Sequence, residues 1–378
     1  MTGQLATSQF SCPHFTQCSG CNEGIDDKFT RLTETLRHEL HLDPAASSSN
    51  FSVIKIPVQF PHGLRDRADF VWDHDHLGLF DQSKTKIIGI DQCWQLSPEL
   101  NEWFQVLKKF KFPIKKGSLR LRVGPSPVEA TKPATKGLWL DFANLDVKAL
   151  FDEMNFLREL MKLSVVEVGQ RHKRLVDSGY KLSLVDPVLD FWSNSLHQDK
   201  LIPLYGSIAD FTQVGHQANQ VILRTLKKML AEYQAITISE FGSGQGNLSF
   251  VALENHNQLI AHEISKTACE GFRRSLKEQD LMDRVQIHHG DFQRQNPVGM
   301  EQSDLILVNP PRSGLKSFVD GVPLKSGPSG LVYMSCYLES FIIDSRRIKA
   351  LGFSLKELCF IDQFPQTDHV EILSHWTR

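Results

Sequence analysis

Cys336 closes an apolar run, Val332-Tyr333-Met334-Ser335, and Glu371 closes the turn Phe364-Pro365-Gln366-Thr367-Asp368-His369-Val370. A lone cysteine is more often a core residue than a nucleophile, and Cys269 and Cys359 read that way. Cys336 differs because the carboxyl end of a strand is where open α/β sheets bind ligands. One thiol and one carboxylate at the same edge suit an addition–elimination reaction on a pyrimidine. A thiolate adding to carbon 6 of uracil makes carbon 5 nucleophilic. After carbon 5 is alkylated, a base must remove its proton so that the thiolate can leave. Cys336 is expected to be the nucleophile and Glu371 the base. A free thiol, with a pKa of about 8.5, is only slightly ionised at neutral pH, so its surroundings must assist.

The alkyl donor has its own signature upstream. Glu240-Phe241-Gly242-Ser243-Gly244-Gln245-Gly246 lies between an apolar strand and a helix. Gly242 and Gly244 let the backbone turn sharply and a ligand approach closely. Alone, such a turn can be a tight β–α connection and nothing more. Here Glu240 precedes it, Glu263 ends the next strand and can accept ribose hydroxyls, and Asp291 ends the strand after that, beside an adenine position. Three acids at successive strand ends resemble the class I S-adenosylmethionine methyltransferase fold. Asn309-Pro310-Pro311-Arg312 follows another apolar strand, and the prolines fix an extended backbone at its tip. Amine methyltransferases place an aromatic residue after a similar Asn-Pro-Pro, so Arg312 counts against that activity.

A third group is Cys12, Cys18 and Cys21, with Cys93 far downstream. Seven cysteines, three of them within ten residues, fit a reducing compartment with metal-binding or catalytic thiols. The spacing alone serves structural zinc or an iron–sulfur cluster equally well. His74 and His76, flanking Asp75, read as surface loop.

The elements that must position these groups fall into three regions. Residues 1–50 hold the cysteine cluster, an amphipathic helix over Asp26–Leu42 and a polar stretch, Asp43–Asn50. Residues 51–200 mix strand-like runs (Phe51–Val58, Ala68–Trp72, Leu119–Val123, Leu138–Phe142) with helices and read as a central α+β domain. Residues 201–378 alternate strands and helices cleanly, which predicts an α/β, Rossmann-like, parallel, doubly wound sheet. Its strands are expected at Ile236–Phe241, Leu259–Ile264, Val285–His289, Leu305–Val308, Leu331–Ser335, Leu355–Ile361 and Val370–Ser374, and its helices at Gln217–Leu230, Lys266–Gln279 and Leu338–Leu351.

Composition excludes little. Of 378 residues, 41% are hydrophobic and 23% charged, with a net charge of −2, as in an ordinary globular protein. The first ten residues lack the basic start and apolar run of a signal peptide, and no apolar stretch nears the roughly 20 residues that span a bilayer. A cytoplasmic monomer with no membrane contact is expected. Lys108, Lys109, Lys111, Lys115, Lys116, Arg120 and Arg122 form a run without acids, and Arg171, His172, Lys173 and Arg174 a smaller one. Both are either solvated faces or phosphate contacts.

Asn-Pro-Pro-Arg-x-Gly, the Ser335-Cys336 strand end, Phe-Pro-x-Thr-x-His-Val-Glu and Phe211-Thr212-Gln213 occur in the order found in the RNA uridine-5-methyltransferases, and the chain resembles that family. The resemblance runs from about Cys12 to Glu371 and is thin between about 100 and 200. It implies RNA as substrate, S-adenosylmethionine as methyl donor, and Gln213, Phe241, Glu263 and Asn309 lining the cofactor and base pocket. It further implies a four-iron–four-sulfur cluster on Cys12, Cys18, Cys21 and Cys93, in a structural or RNA-binding role. Many relatives begin with a small β-barrel RNA-binding domain, for which there is no room before Cys12. That feature and Asn309, where many relatives have Asp, are most similar to the enzymes of 23S ribosomal RNA; transfer RNA is the second expectation. Gly215, Tyr337 and Gln366 depart from the family pattern, where Asn, Asn and His are usual. A catalytically silent iron–sulfur RNA-binding protein is the alternative of another class, opposed by the presence of both Cys336 and Glu371.

Overall fold

Two hydrophobic patterns build two sheets in the computed structural model. It describes residues 12–21, 28–41, 51–57, 62–74, 76–126, 134–141, 147–234, 236–293, 298–323, 327–365 and 367–378. Asp43–Asn50, Asp75 and Gln366 lie outside the described residues. Helix α1 (Lys28–Glu39) buries Leu32 and Leu36, one turn apart, and Leu40 follows just beyond it. These leucines join a core with Phe341, Ile348 and Phe360, so α1 packs on the C-terminal half of the chain. A buried ion pair, Lys28 Nζ to Asp362 at 2.8 Å, fixes its start. Strand β1 (Phe51–Lys55) also goes there and pairs in parallel with a C-terminal strand. Sequence periodicity grouped this strand with the central region because its alternation carries no information about its partner.

The central sheet comprises β2 (Arg67–Asp73), β3 (His76–Phe80), β4 (Ile87–Gly89), β5 (Lys116–Val123), β6 (Lys136–Asp141), β7 (Val165–Val168), β8 (Lys173–Asp177) and β9 (Leu182–Val185). Its order is β4-β3-β2-β5-β6-β7-β8-β9, antiparallel except at β6–β7. Helices α2 (Pro98–Leu107), α3 (Val147–Asp152) and α4 (Met154–Leu163) accompany it. In α2, the Ser97 side chain caps the first turn by accepting from Leu100 N, Pro98 stands where no donor is needed, and Leu100, Trp103, Phe104 and Leu107 are buried. A hairpin of β10 (Asp190–His197) and β11 (Lys200–Gly206) follows, and its Leu196, Ile202 and Leu204 pack into the core of the C-terminal half.

Arg122 is the stitch between the halves. Its guanidinium is buried beside Trp192 and donates to the carbonyls of Ser207, Ile208 and Asp210 and to Thr212 Oγ1. It is therefore no phosphate contact. Arg120 is likewise committed, to Asp69 and the Ala209 carbonyl. In the basic runs Lys108 and Lys116 pair with Asp91 and Asp73, and Lys173 and Arg174 with Asp186 and Asp190; Lys109, Lys111, Lys115 and Arg171 are exposed.

The C-terminal half holds α5 (His216–Leu230), β12 (Thr237–Phe241), α6 (Ser249–Ala252), β13 (Gln258–Glu263), α7 (Lys266–Glu278), β14 (Val285–His289), β15 (Leu305–Val308), β16 (Gly330–Ser335), α8 (Leu338–Ala350), β17 (Ser354–Asp362) and β18 (Glu371–Thr377). These strands lie at the expected places in the sequence. The sheet order is β1-β17-β18-β16-β15-β12-β13-β14. It is mixed and not wholly parallel, since β18 inserts antiparallel between β16 and β17. The connection from β17 to β18 is too short for the crossover that a parallel pair requires.

Under the glycine turn, Glu240 is 1% exposed, accepts from Ser249 Oγ, and leaves its other oxygen without a partner among the described residues. Burial pushes its carboxyl up from 4.5 to about 8, with Glu263 adding to the rise, so it folds as the neutral acid. The stability this proton contributes is complete below about pH 4.5 and is lost as pH rises toward about 8, because the unfolded chain gives the proton up first. Glu240→Gln should therefore gain stability over the native protein by up to about 1.4 kcal/mol per pH unit across that window. Thermal melting at pH 5 to 8.5 checks this, and parallel curves for the two proteins would refute it.

Candidate functional site

A cavity of about 560 Å³ opens along the carboxyl ends of β12, β13, β14, β15 and β16. Gly242, with φ +80°, turns the chain out of β12, and a Cβ there would lie 2.6 Å from the Asn309 carbonyl oxygen. Gly244, with φ +59°, would place a Cβ in open space, so the bare backbone faces the cavity. Across from it, Glu263 is locked by two backbone donors, Gly244 N at 2.8 Å and Ser265 N at 2.7 Å. Burial still raises its carboxyl above the usual range, and those donors oppose the rise. Asp291 Oδ1 accepts from Gln293 N.

The structure brings Gln213, Gly242, Gly244, Glu263, Asp291, Asn309, Cys336 and Glu371 into this one space. Phe241 does not join them. Its ring is fully buried, stacked on His262 at 4.8 Å and packed against Phe292 and Phe318, so its side chain supports the floor. Glu240 likewise turns away from the cavity into the interior, toward Ser249.

At the other end, sheet register aligns the thiol and the acid. Ser335 of β16 pairs with Ile372 of β18, which leaves Cys336 and Glu371 next in line. Glu371 is 5% exposed, and burial pushes it up from 4.5 to about 8, with the Gln363 amide and Arg312 opposing. Gln363 Nε2 donates to Glu371 Oε1. Burial raises the Cys336 thiol and the Glu371 charge adds to this; Arg312 opposes it both as a charge and as a hydrogen-bond donor. Arg312 thus favours the ionised form of both groups. Its spacing after the double proline signalled an unusual residue, not this role. Gln363 carried no signal at all.

Two arginines of the central region also reach the methyltransferase half. Arg67, which lines the cavity, lies over the Phe211 ring at 5.0 Å, and Arg65 over Phe364 at 4.8 Å. Neither forms an ion pair within 4 Å among the described residues. Gly215 has a structural reason for lacking a side chain: its Cβ would lie 2.0 Å from the Leu64 carbonyl oxygen, on the segment leading to Arg65 and Arg67.

The clustered cysteines dock on the central sheet. Ser19 N donates to the Phe80 carbonyl, Gln82 Nε2 to those of Cys18 and Cys21, and Asp91 N to His14 Nε2. The thiols are close enough to affect one another: burial raises Cys18, Cys21 and Cys93, and charge on Cys12 adds to each. No three His, Cys, Asp or Glu side chains among the described residues converge on a single-ion site. Cys269 and Cys359 are core residues, and His74 and His76 are exposed. No helix of the described residues is long and apolar enough to cross a membrane.

The chain is similar to known methyltransferases. Residues 215–320 match the model of the methyltransferase small domain. A protein of Bdellovibrio bacteriovorus described as an uncharacterized RNA methyltransferase is 39% identical over 96% of this chain and 94% of its own. The 23S rRNA (uracil(1939)-C(5))-methyltransferase of Vibrio parahaemolyticus is 24% identical over 96% of this chain and 80% of its own. The fold matches that of the Pyrococcus abyssi tRNA (uracil-54, C5)-methyltransferase, solved with S-adenosyl-L-homocysteine, with a TM-score of 0.65, 19% identity, and coverage of 94% of this chain and 84% of that one. A relative of such identity along nearly the whole chain, together with a cavity lined by Glu263 and Asp291 as well as by a thiol and the Glu371 carboxylate, leads to one conclusion: the chain belongs to the family of S-adenosylmethionine-dependent RNA uracil-C5-methyltransferases.

Proposed function

We propose that this protein methylates carbon 5 of a uridine in 23S ribosomal RNA, with Cys336 as nucleophile and Glu371 as base. The observation that carries the reading is the single cavity shared by Cys336, Glu371, Glu263 and Asp291. S-adenosylmethionine, held by Glu263 at its ribose and by the Gly242–Gly244 backbone, supplies an electrophilic methyl group. The Cys336 thiolate adds to carbon 6 of the extruded uracil, and the electron pair displaced from the 5,6 double bond takes the methyl at carbon 5. Glu371 then accepts the carbon 5 proton, the double bond re-forms, and the Cys336 sulfur leaves as thiolate. A carboxylate whose proton affinity is raised to about 8 is suited to that last abstraction. The ribosomal target is supported by the Vibrio relative, and a transfer-RNA target is the other outcome of the same experiment.

The resemblance to the family makes Cys12, Cys18, Cys21 and Cys93 our candidates for holding a four-iron–four-sulfur cluster, with structural zinc as the other outcome of the test. What supports a shared centre is that the thiols of Cys18, Cys21 and Cys93 are all influenced by charge on Cys12. Anaerobically purified protein should contain iron and acid-labile sulfide in equal amounts. Zinc without sulfide would refute the cluster.

Ribosomal and transfer RNA containing 5-fluorouridine, incubated with protein and methyl donor, separate the targets. Fluorine at carbon 5 cannot be removed as a proton, so the cognate RNA should remain covalently bound to the wild type and not to Cys336→Ala. With ordinary uridine, Glu371→Gln should accumulate the same adduct while turnover falls by roughly 10²–10⁴-fold. An adduct that persists in Cys336→Ala would eliminate the mechanism.

The acid–base pair also predicts a pH profile. Because Glu371 must be ionised to act as a base, kcat/KM should climb as pH rises through about 8. Arg312→Gln removes a cation that favours both ionised forms and should move that profile to higher pH. A uniform loss of rate with an unmoved midpoint would show that Arg312 acts otherwise.

A further inference from the structure

A second cavity, of about 370 Å³, lies against the first, and Cys336 and His369 line both. This volume falls in the range of small-ligand clefts, roughly 300–1,000 Å³. One wall is the start of α8, with Tyr337 and Leu338, and the facing wall is α1, with Arg31, Leu32 and Thr35. Methylation as described above needs only the first cavity, which leaves this space without a role.

Tyr337 is the residue that gives the space a chemistry. It follows Cys336 directly and is 39% exposed, and its backbone is held by hydrogen bonds with the Ser335 and Ser340 hydroxyls. No ring contact or hydrogen bond involves its side chain among the described residues, so a rigidly mounted aromatic ring stands open beside the nucleophile. His369, on the boundary between the cavities, is held toward its neutral form by burial and by Arg312, Arg65 and Lys28. Its ring meets Phe364 edge-on at 6.0 Å. Arg31 pairs with Asp368 at 3.5 Å, with both side chains more than half exposed. A pair so solvated is weak, and a phosphate can displace it.

We propose that this second cavity is a nucleotide subsite in which Tyr337 stacks on the base adjacent to the target uridine in the RNA, with Arg31 at that nucleotide's phosphate. The inference rests on the reaction assigned above, because Cys336 marks where the target base must lie. Consecutive nucleotides are joined by one phosphodiester, so a base entering the first cavity brings its neighbour to the edge of the second. An aromatic face, an apolar wall and an exposed cation are what single-stranded RNA recognition uses, and stacking accepts any base. Tyr337, which departs from the family pattern, would thus hold the strand in the extruded state and not choose its sequence.

The test uses RNA oligonucleotides built around the 5-fluorouridine at which the wild type forms its adduct in 23S or transfer RNA. Each neighbour of that uridine is replaced in turn by an abasic nucleotide, and the rate of adduct formation is measured. With wild type, an abasic site at one of the two neighbours should slow the adduct about tenfold, within the range of base–aromatic stacking. Tyr337→Ala should lose a similar factor on intact RNA and be insensitive to that abasic site, and Tyr337→Phe should restore the sensitivity. The subsite is overturned if neither abasic RNA slows the wild type, or if the losses from Tyr337→Ala and from the abasic site multiply. The abasic series on wild-type protein decides the matter even if Tyr337→Ala fails to fold. If the wild type forms no adduct with any RNA, the reaction itself is wrong and the subsite falls with it; if the adduct forms and the losses multiply, only the subsite falls.

Discussion

The site exists because one strand runs backwards. In a wholly parallel sheet every strand would present its carboxyl end to the cavity, and the first residue of the last strand would lie at the opposite edge. Strand β18 instead enters antiparallel between β16 and β17, so its first residue, Glu371, emerges beside the last residue of β16. The short turn 363–370 makes that reversal possible, and it delivers Gln363, Phe364 and His369 to the same place. The thiol and carboxylate are thereby set by backbone hydrogen bonds and not by a mobile loop. A reaction that needs a nucleophile and a base beside the same pyrimidine gains from such fixed placement, since orientation accounts for much of what an active site contributes.

That placement creates an electrostatic problem which the surrounding residues manage. Charge on Glu371 disfavours ionisation of Cys336, and burial raises both groups. Arg312 is the counterweight, mounted by Pro310 and Pro311 on the tip of β15, where backbone freedom is smallest. Its position explains why an aromatic residue there would serve a different chemistry: a ring can hold a base but cannot lower the cost of a thiolate. The Gln363 amide donates to one oxygen of Glu371, and both residues line the cavity.

Much of this was legible in sequence, for definite reasons. Strands β12 to β16 are short apolar runs ending in chemically distinctive residues, so their positions and their functional ends could both be read. Gly242, Gly244, Glu263, Asp291, Asn309 and Cys336 stand at such ends, Glu371 was marked by its turn motif, and all lie in one cavity. What failed were inferences about direction. Phe241 lies in the right motif, but alternation along β12 turns its ring into the core. Strand β1 and helix α1 pair with elements more than 290 residues away, as in Phe51 with Leu358, and no local pattern announces such a partner. Arg122 looked like part of a basic surface because charge is visible in sequence and burial is not.

The same distinction bears on the clustered cysteines, which do not line the cavity but contact an element that borders it. Gln95 Nε2 donates both to Cys21 Sγ at 3.5 Å and to the Pro365 carbonyl, on the turn that carries Phe364, His369 and Glu371. Arg65, affected by charge on Cys93 and Cys21, lies over Phe364 on that same turn. The methyl transfer has no redox step, so nothing in the chemistry calls for iron. What the contacts show is a structural link to the turn. The turn is closed by its own hydrogen bonds, Thr367 N and Oγ1 donating to the Phe364 carbonyl and His369 N to Thr367 Oγ1, and Gln95 adds a contact from outside. Through Gln95 the cysteine-bearing segment, far away in sequence, touches the turn that leads into Glu371.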